Sequence, residues 1–194
     1  MGKKVRVLLI DDNYEFASNF REIISFDERL EYLGDAPDWG AGVSLAMALR
    51  PDIVVMDLNL SGSALDGIDA AKEIRIKTGI PVLLLTAYEN EEIILNASKK
   101  SFASGYVFKS QFMSVADIIF HTVGSNTVEK TLIKDLILHD LTNAEAAVLK
   151  GLLDRDINKF THASPSTIEK QLSSIYRKLG VRNSKELMMV FQNW

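Results

Sequence analysis

Five side chains suited to metal and phosphorus chemistry lie at the ends of short apolar runs of the chain. They are those of Asp11, Asp12, Asp57, Thr86 and Lys109. If the fold gathers them, the carboxylates repel one another, and a hard divalent cation such as Mg2+ resolves that repulsion with its oxygen ligands. A carboxylate beside a cation and a lysine can act as a nucleophile toward phosphorus. The cation and Lys109 would neutralise the phosphoryl oxygens, and Thr86 would donate a hydrogen bond to one of them.

Apolar runs alternate with amphipathic stretches through the first part of the chain. The apolar runs predict strands at 5–10, 30–33, 53–56, 82–85 and 106–108. The amphipathic stretches predict helices at 16–24, 41–49, 68–76, 91–100 and 115–123. This alternation favours an α/β fold, with a doubly wound five-stranded parallel sheet that has helices on both faces. Because ligands bind at the carboxyl ends of the strands in such a sheet, we expect the five side chains to meet there.

The composition fits a globular protein, since 47% of the 194 residues are hydrophobic and 25% are charged. The absence of cysteine excludes disulfides, thiolate metal sites and a cysteine nucleophile. No apolar run approaches the roughly 18 residues needed to span a membrane. The apolar run nearest the N-terminus, Val7–Ile10, is too short for a signal peptide, so we expect a cytoplasmic protein without a membrane partner.

The pattern changes after residue 123, where the strand signals stop. We predict a first domain at 1–123, a polar linker at 124–136 and a small all-α domain at 137–194. Charge supports the division: the chain up to residue 136 has 14 Lys and Arg against 20 Asp and Glu, a net of -6, whereas the remainder has 8 against 6, a net of +2. This asymmetry indicates different partners for the two parts.

Helix-capping signals mark the helices of the second part. Thr142 and Glu145 have capping-box spacing. Ser164 precedes a proline, which predicts a helix start, and Gly180 is a typical residue just after a helix end. A last helix is expected at 185–193.

Residues 1 to about 122 resemble the receiver domain of two-component response regulators, which has a flavodoxin-like fold. The matching motifs are Leu9-Ile10-Asp11-Asp12, Val55-Met56-Asp57-Leu58-Asn59, Leu84-Leu85-Thr86-Ala87 and Gly105-Tyr106-Val107-Phe108-Lys109. The resemblance implies that Asp57 accepts a phosphoryl group from a histidine kinase. It also implies that Asp12, Asp57 and the carbonyl of Asn59 bind Mg2+ directly, with Asp11 acting mainly through water. Thr86 and Tyr106 match the switch pair of that family.

Two features depart from the receiver pattern. The family usually has a proline in a cis peptide after the lysine, whereas here Ser110 follows Lys109. A non-proline cis bond costs roughly 3–4 kcal/mol, which favours trans, but the sequence leaves the isomer of this peptide open. The loop 60–67 also looks one or two residues longer than usual and lacks the common proline.

Residues 141–190 resemble the helix-turn-helix domain of LuxR/NarL-type regulators. The run Leu172-Ser173-Ser174-Ile175-Tyr176-Arg177-Lys178-Leu179-Gly180-Val181-Arg182-Asn183 carries the resemblance. It implies that the helix from Pro165 enters the major groove, and that the last helix often forms the dimer contact. The candidate DNA-binding residues are Thr167, Glu169, Lys170, Gln171, Ser173, Arg177 and Lys178. The spacing of Ile168, Leu172, Ile175 and Leu179 predicts the buried stripe of this helix.

Here too the chain departs from its family. The segment between Leu149 and Thr167 is about four residues short, and the loss falls on the supporting helix expected at 157–162. Glu169 stands where a lysine usually faces DNA, and Gln171 replaces the usual histidine. A carboxylate repels phosphates, although it can accept a hydrogen bond from cytosine N4.

The leading hypothesis is a response regulator that is phosphorylated on Asp57, forms a homodimer and binds double-stranded DNA to control transcription. The alternative is a phosphorylation-gated adaptor whose degenerate helix-turn-helix binds a protein. The sequence shows no residues of a pocket for an external substrate, so we do not expect an enzyme.

Overall fold

A computed structural model describes residues 2–60, 66–87, 90–124 and 127–191 of the chain. The first part is built on five parallel strands: β1 (Val5–Ile10), β2 (Leu30–Ala36), β3 (Ile53–Asp57), β4 (Val82–Thr86) and β5 (Gly105–Phe108). Their order in the sheet is β2-β1-β3-β4-β5, so the winding reverses between β1 and β3. Ligands bind at the carboxyl ends of the strands beside such a reversal. The predicted α/β class is confirmed.

Five helices cover both faces of this sheet: α1 (Tyr14–Phe26), α2 (Trp39–Leu49), α3 (Asp66–Thr78), α4 (Glu91–Ser101) and α5 (Val115–Gly124). Successive strand residues point to opposite faces. Leu8 therefore joins the core on the side of α2, α3 and α4, whereas Leu9 joins the core on the side of α1 and α5. Each predicted strand and helix of this part is present, and most are one to four residues longer than the pattern indicated.

Four further helices follow: α6 (Val128–Leu138), α7 (Asn143–Leu153), α8 (Pro165–Leu179) and α9 (Ser184–Phe191). They share a third core cluster that includes Ile137, Leu149, Ile175 and Leu187. The predicted capping box at the start of α7 is present. Gly180 follows α8 with a φ of 64°, the left-handed conformation that glycine adopts without strain.

Two segments differ from the sequence expectation. Most of the stretch expected as a linker, 124–136, belongs to helix α6, whose Ile133 and Ile137 are buried in the third cluster. The supporting helix expected at 157–162 is reduced to a single 3-10 turn, Ile157–Lys159, as the shortened chain there allows. The domain boundaries themselves remain predictions. Residues 61–65 of the loop after Asp57, and the end of the predicted last helix, lie outside the described residues.

The C-terminal helices pack against α3 and α4. Phe102, which ends α4, belongs to the third core cluster. The Lys72 ammonium on α3 donates a hydrogen bond of 3.2 Å to the carbonyl of Leu179 at the end of α8. Lys99 of α4 forms an ion pair of 2.7 Å with Asp140. This contact therefore combines apolar packing with polar bonds to helix ends.

Among the described helices, none combines the length and the apolar character needed to cross a membrane.

Candidate functional site

The predicted carboxylates meet at the carboxyl edge of the sheet. Asp11 directly follows β1 and is buried, Asp57 is the last residue of β3 and is also buried, and Asp12 is exposed at the rim. Ligand oxygens of these three carboxylates lie within 4.8 Å of one another. The Lys109 ammonium, just past β5, lies 2.8 Å from a carboxylate oxygen of Asp11 and 2.8 Å from one of Asp57. The fold thus brings together residues that are 98 positions apart.

Backbone groups fix the second oxygen of each buried acid. The amide of Asn13 donates to Asp11 Oδ1 at 2.9 Å, and the amide of Asn59 donates to Asp57 Oδ1 at 3.2 Å. Each carboxylate therefore accepts from a backbone N–H on one oxygen and from Lys109 on the other. This arrangement holds both groups in one orientation before any ligand arrives.

Burial and hydrogen bonding act in opposite directions on the charges of the site. Burial raises the pKa of Asp11 above its ordinary value, and the hydrogen bonds from Lys109 and Asn13 offset this in part. Burial lowers the pKa of Lys109, but its hydrogen bonds to Asp11 and Asp57 outweigh that effect and leave the pKa raised. Lys109 thus stays a cation between the two acids.

Gly67, in the first turn of α3, allows that helix to approach the carboxyl end of β3 closely. A Cβ at this position would lie 2.2 Å from the Asp57 carbonyl oxygen and 2.7 Å from the Leu58 Cα. No side chain fits in that space. Gly67 is not among the site residues predicted from the sequence, although it directly follows an acid at the start of a predicted helix.

The two residues of the predicted switch pair occupy neighbouring strands. Thr86 is the last residue of β4 and is fully buried. Tyr106 of β5 is half-buried, and its ring meets the ring of Phe108 edge-on at 5.8 Å between centroids. Thr86 pairs in register with Phe108, and Leu84 with Tyr106, so the tyrosine lies two residues further than Thr86 from the carboxyl edge of the sheet.

Lys109 also contacts an aromatic ring that the sequence analysis missed. Its ammonium lies 4.6 Å from the ring centroid of Phe16, in the first turns of α1. The ring of Phe16 in turn lies 4.9 Å from that of Phe112. The described residues contain no cis peptide bond, so the Lys109–Ser110 peptide, whose isomer the sequence left open, is trans.

The candidate DNA-binding residues divide into two groups on α8. Glu169, Lys170, Ser173 and Arg177 line one exposed groove. The other three point elsewhere or are engaged within the protein: the Thr167 hydroxyl lies 2.9 Å from Ser164 Oγ, Gln171 is half-buried, and Lys178 binds Glu145 at 2.6 Å.

The chain is similar to proteins of a known family. The model of the response regulator receiver domain family matches residues 7–119, more than half of the chain. The chain belongs to this family. Its resemblance to LuxR/NarL-type regulators is confirmed by full-length relatives and by solved structures of LuxR-family regulators.

Three similar proteins illustrate the match. The transcriptional regulatory protein YdfI of Bacillus subtilis (strain 168) is 27% identical over 95% of this chain and 94% of its own. The crystal structure of a LuxR-family two-component response regulator from Aurantimonas sp. SI85-9A1 is 28% identical, with a TM-score of 0.59, over 71% of this chain and 98% of that one. The RcsB response regulator of Salmonella typhimurium, 23% identical with a TM-score of 0.57, shares the fold over 98% of this chain and 99% of its own.

Proposed function

We propose that this response regulator is phosphorylated on Asp57 and controls transcription in answer to that modification. The observation that carries the proposal is the position of the Lys109 ammonium, 2.8 Å from both Asp57 and Asp11. An Asp57 oxygen would attack the phosphorus of a phosphohistidine, forming an O–P bond as the P–N bond breaks. The imidazole nitrogen leaves with the electron pair and takes a proton from water. The reaction modifies the protein itself.

Mg2+ is the cofactor that we propose for this step. Three carboxylates with ligand oxygens within 4.8 Å of one another form a hard-oxygen donor set, which suits that ion. Asp12 and Asp57 would bind it directly together with the carbonyl of Asn59, and Asp11 would act through water. When bound, the ion supplies positive charge that stabilises the phosphoryl oxygens. Lys109, whose ammonium lies 2.8 Å from Asp57, would supply a second positive charge for the same oxygens.

The donor that we propose is a histidine kinase. Two apolar side chains near the carboxyl edge of the sheet, where the three carboxylates lie, are strongly exposed: Tyr14 at 85% and Met113 at 84%. Tyr14 begins α1 and Met113 lies in the turn after β5, so they flank the loops that carry Asp12 and Lys109. An exposed apolar rim around a reactive carboxylate fits a protein donor.

The proposed output is binding of double-stranded DNA through α8. Its groove presents two cations, Lys170 and Arg177, and hydrogen-bonding groups from Ser173 and Glu169. Cations contact phosphates and polar side chains read base edges. The relative YdfI is named a transcriptional regulatory protein, which supports this choice. The carboxylate of Glu169 in the same groove is the feature that favours the alternative, an adaptor whose C-terminal helix bundle, α6 to α9, binds a protein.

Phosphorylation would act through Thr86 and Tyr106. The Thr86 hydroxyl would donate to a phosphoryl oxygen, and the half-buried Tyr106 ring would turn inward. A shift between two receiver states would then change the packing of α3 and α4 against the C-terminal helices. Because Leu187 and Val190 of α9 are buried in the third cluster, a homodimer formed through α9 requires that packing to loosen.

Two measurements on the full chain test the proposal. Incubation with Mg2+ and a small phosphodonor, followed by intact mass spectrometry, should add one phosphoryl group to the wild type and none to Asp57→Asn. Selection from randomised duplex DNA should then yield a sequence that the phosphorylated wild type binds more tightly than Asp57→Asn does. Phosphorylation without selection of any DNA would sink the transcriptional output and leave the adaptor.

A further inference from the structure

The Lys109 ammonium rests against the face of an aromatic ring as well as against two acids. Its nitrogen lies 4.6 Å from the centroid of Phe16, well inside the roughly 6 Å over which a ring face attracts a cation. The side chain of Lys109 is 24% exposed, so much of its surface is covered by these neighbours. Partial desolvation of this kind strengthens a cation–π contact.

Phe16 is held in register with the acids by the start of α1. Its amide donates a hydrogen bond of 2.9 Å to the side-chain oxygen of Asn13, the residue that caps the helix. The amide of Asn13 donates a hydrogen bond of 2.9 Å to the carboxylate of Asp11. The chain of contacts from Asp11 through Asn13 and Phe16 therefore returns to Lys109, which donates to Asp11 again. These connected contacts fix the position of the Phe16 ring relative to the carboxylates.

The same ring also restrains the turn that begins with Lys109. The 3-10 turn Lys109–Ser114 carries Phe112, whose ring lies 4.9 Å from that of Phe16 at an angle of 54°. Aromatic pairs at such spacing add to stability beyond the area they bury. The peptide that follows Lys109 is trans and leads to serine rather than proline. The ring pair and the contact of Lys109 with Phe16 both join this turn to α1.

We propose that Phe16 is a positioning residue for phosphoryl transfer: its ring holds the Lys109 ammonium between Asp11 and Asp57 and, with Phe112, fixes the turn that the usual proline would otherwise shape. The inference rests on the proposed function of Asp57. A ring face attracts a cation without a fixed direction. Lys109 can therefore keep this contact while it exchanges a carboxylate oxygen for a phosphoryl oxygen.

The test compares phosphoryl uptake by the full chain after changes at one position. Phe16→Leu removes the ring and keeps an apolar side chain, whereas Phe16→Tyr keeps the ring. With Mg2+ and acetyl phosphate, we expect Phe16→Leu to take up the phosphoryl group roughly three- to tenfold more slowly and Phe16→Tyr to stay within about twofold of the wild type.

Phe20 supplies the matched control because it belongs to the same aromatic cluster. Its ring lies 6.3 Å from that of Phe16 and 6.4 Å from that of Phe112, and the side chain is fully buried. Phe20→Leu should lower the midpoint of urea unfolding at least as much as Phe16→Leu, yet leave the rate of uptake within about twofold, as for a change that removes no contact to Lys109.

A spectroscopic readout reports the contact without any reaction. The ring current of Phe16 should move the ε-methylene protons of Lys109 upfield in the wild type and in Phe16→Tyr, but not in Phe16→Leu. The inference would be overturned if Phe16→Leu took up the phosphoryl group as fast as the wild type. It would also be overturned if uptake slowed equally in Phe16→Leu and Phe16→Tyr, or equally in Phe16→Leu and Phe20→Leu. Each of these results would leave the proposed function intact. No uptake by the wild type would overturn the proposed function and the inference with it.

Discussion

The guanidinium of Arg75 on α3 donates a hydrogen bond to the backbone carbonyl of Val190 on α9. Arg75 is fully buried and also donates to the carbonyl of Gly79 at 3.0 Å. Burial lowers its pKa to about 10, so it remains a cation at neutral pH. A single charged side chain thus joins the receiver helix α3 to the last helix of the bundle, 115 residues further along the chain.

Removing this charge should loosen the bundle from the receiver. In Arg75→Met the Val190 carbonyl loses its donor, and a buried group left without its hydrogen bond costs roughly 1–3 kcal/mol. We expect a lower free energy of unfolding in urea and faster proteolytic cleavage between the two parts. Lys77→Met is the control, because Lys77 lies on the same helix in an exposed ion pair with Glu73 that is worth at most about 1 kcal/mol. Equal effects of both changes would contradict the interpretation.

A methyl group at Gly67 should displace Asp57, for which we propose the role of phosphoacceptor. In Gly67→Ala the new Cβ would lie 2.2 Å from the Asp57 carbonyl, so α3 must shift away from β3. Overpacking of this kind costs typically about 1–3 kcal/mol, and phosphoryl uptake measured by intact mass should slow. Gly124→Ala is the control because a Cβ there meets no atom within 4 Å. It should leave uptake unchanged, and a Gly67→Ala protein as reactive as the wild type would refute the argument.

Lys170 and Lys178 should behave differently although both lie on α8. Lys170 lines the exposed groove, so Lys170→Ala should weaken DNA binding and lower the salt slope of log K by about 1. Lys178 is paired with the buried Glu145 at 2.6 Å. Lys178→Ala should therefore leave the salt slope unchanged and lower the unfolding free energy by roughly 1–3 kcal/mol. Filter binding at several salt concentrations measures the DNA contact, and urea unfolding measures the structural role. A changed salt slope in Lys178→Ala together with an unchanged slope in Lys170→Ala would refute this assignment.

Glu145 should make stability depend on pH in the acid range. Burial alone raises its pKa, but hydrogen bonds from Lys178, Ser174 and Thr142 outweigh burial and lower the pKa from the ordinary 4.5 to about 2. The stabilisation is therefore fully present above the ordinary pKa and is lost as the pH falls through that window toward 2. We expect Glu145→Gln to flatten the profile of unfolding free energy between these values. Glu22→Gln, an exposed change on α1, should leave it unchanged, and a wild-type profile that is already flat would contradict the prediction.

The sequence predicted the parts of this fold that depend on local patterns. The apolar strands and the acids at their ends could be read directly because a two-sided parallel sheet buries continuous apolar runs. Both ends of α8 were predicted from local signals too, since Ser164 caps its start and Gly180 follows its end.

What the sequence did not reveal depends on contacts between distant segments. Arg75 looked like an ordinary charge on an amphipathic helix, and it is buried because α9 covers it. Helix α6 was not recognised because Val128 and Leu132 face outward, at 71% and 55% exposure, while the charged Lys130 is buried. Its apolar pattern therefore indicated no clear face. The direction of Lys178 likewise follows from Glu145, 33 residues earlier.

Helix α6 also changes where the C-terminal folding unit begins. Ile133 and Ile137 lie in the same core as Leu149 and Ile175, so α6 should travel with the bundle whenever the bundle separates from the receiver. The unit that would move then begins with α6, which starts at Val128. A fragment cut at residue 137 would lack Ile133 from its core, whereas one that starts at Thr127 would keep that residue together with the side chain that caps α6.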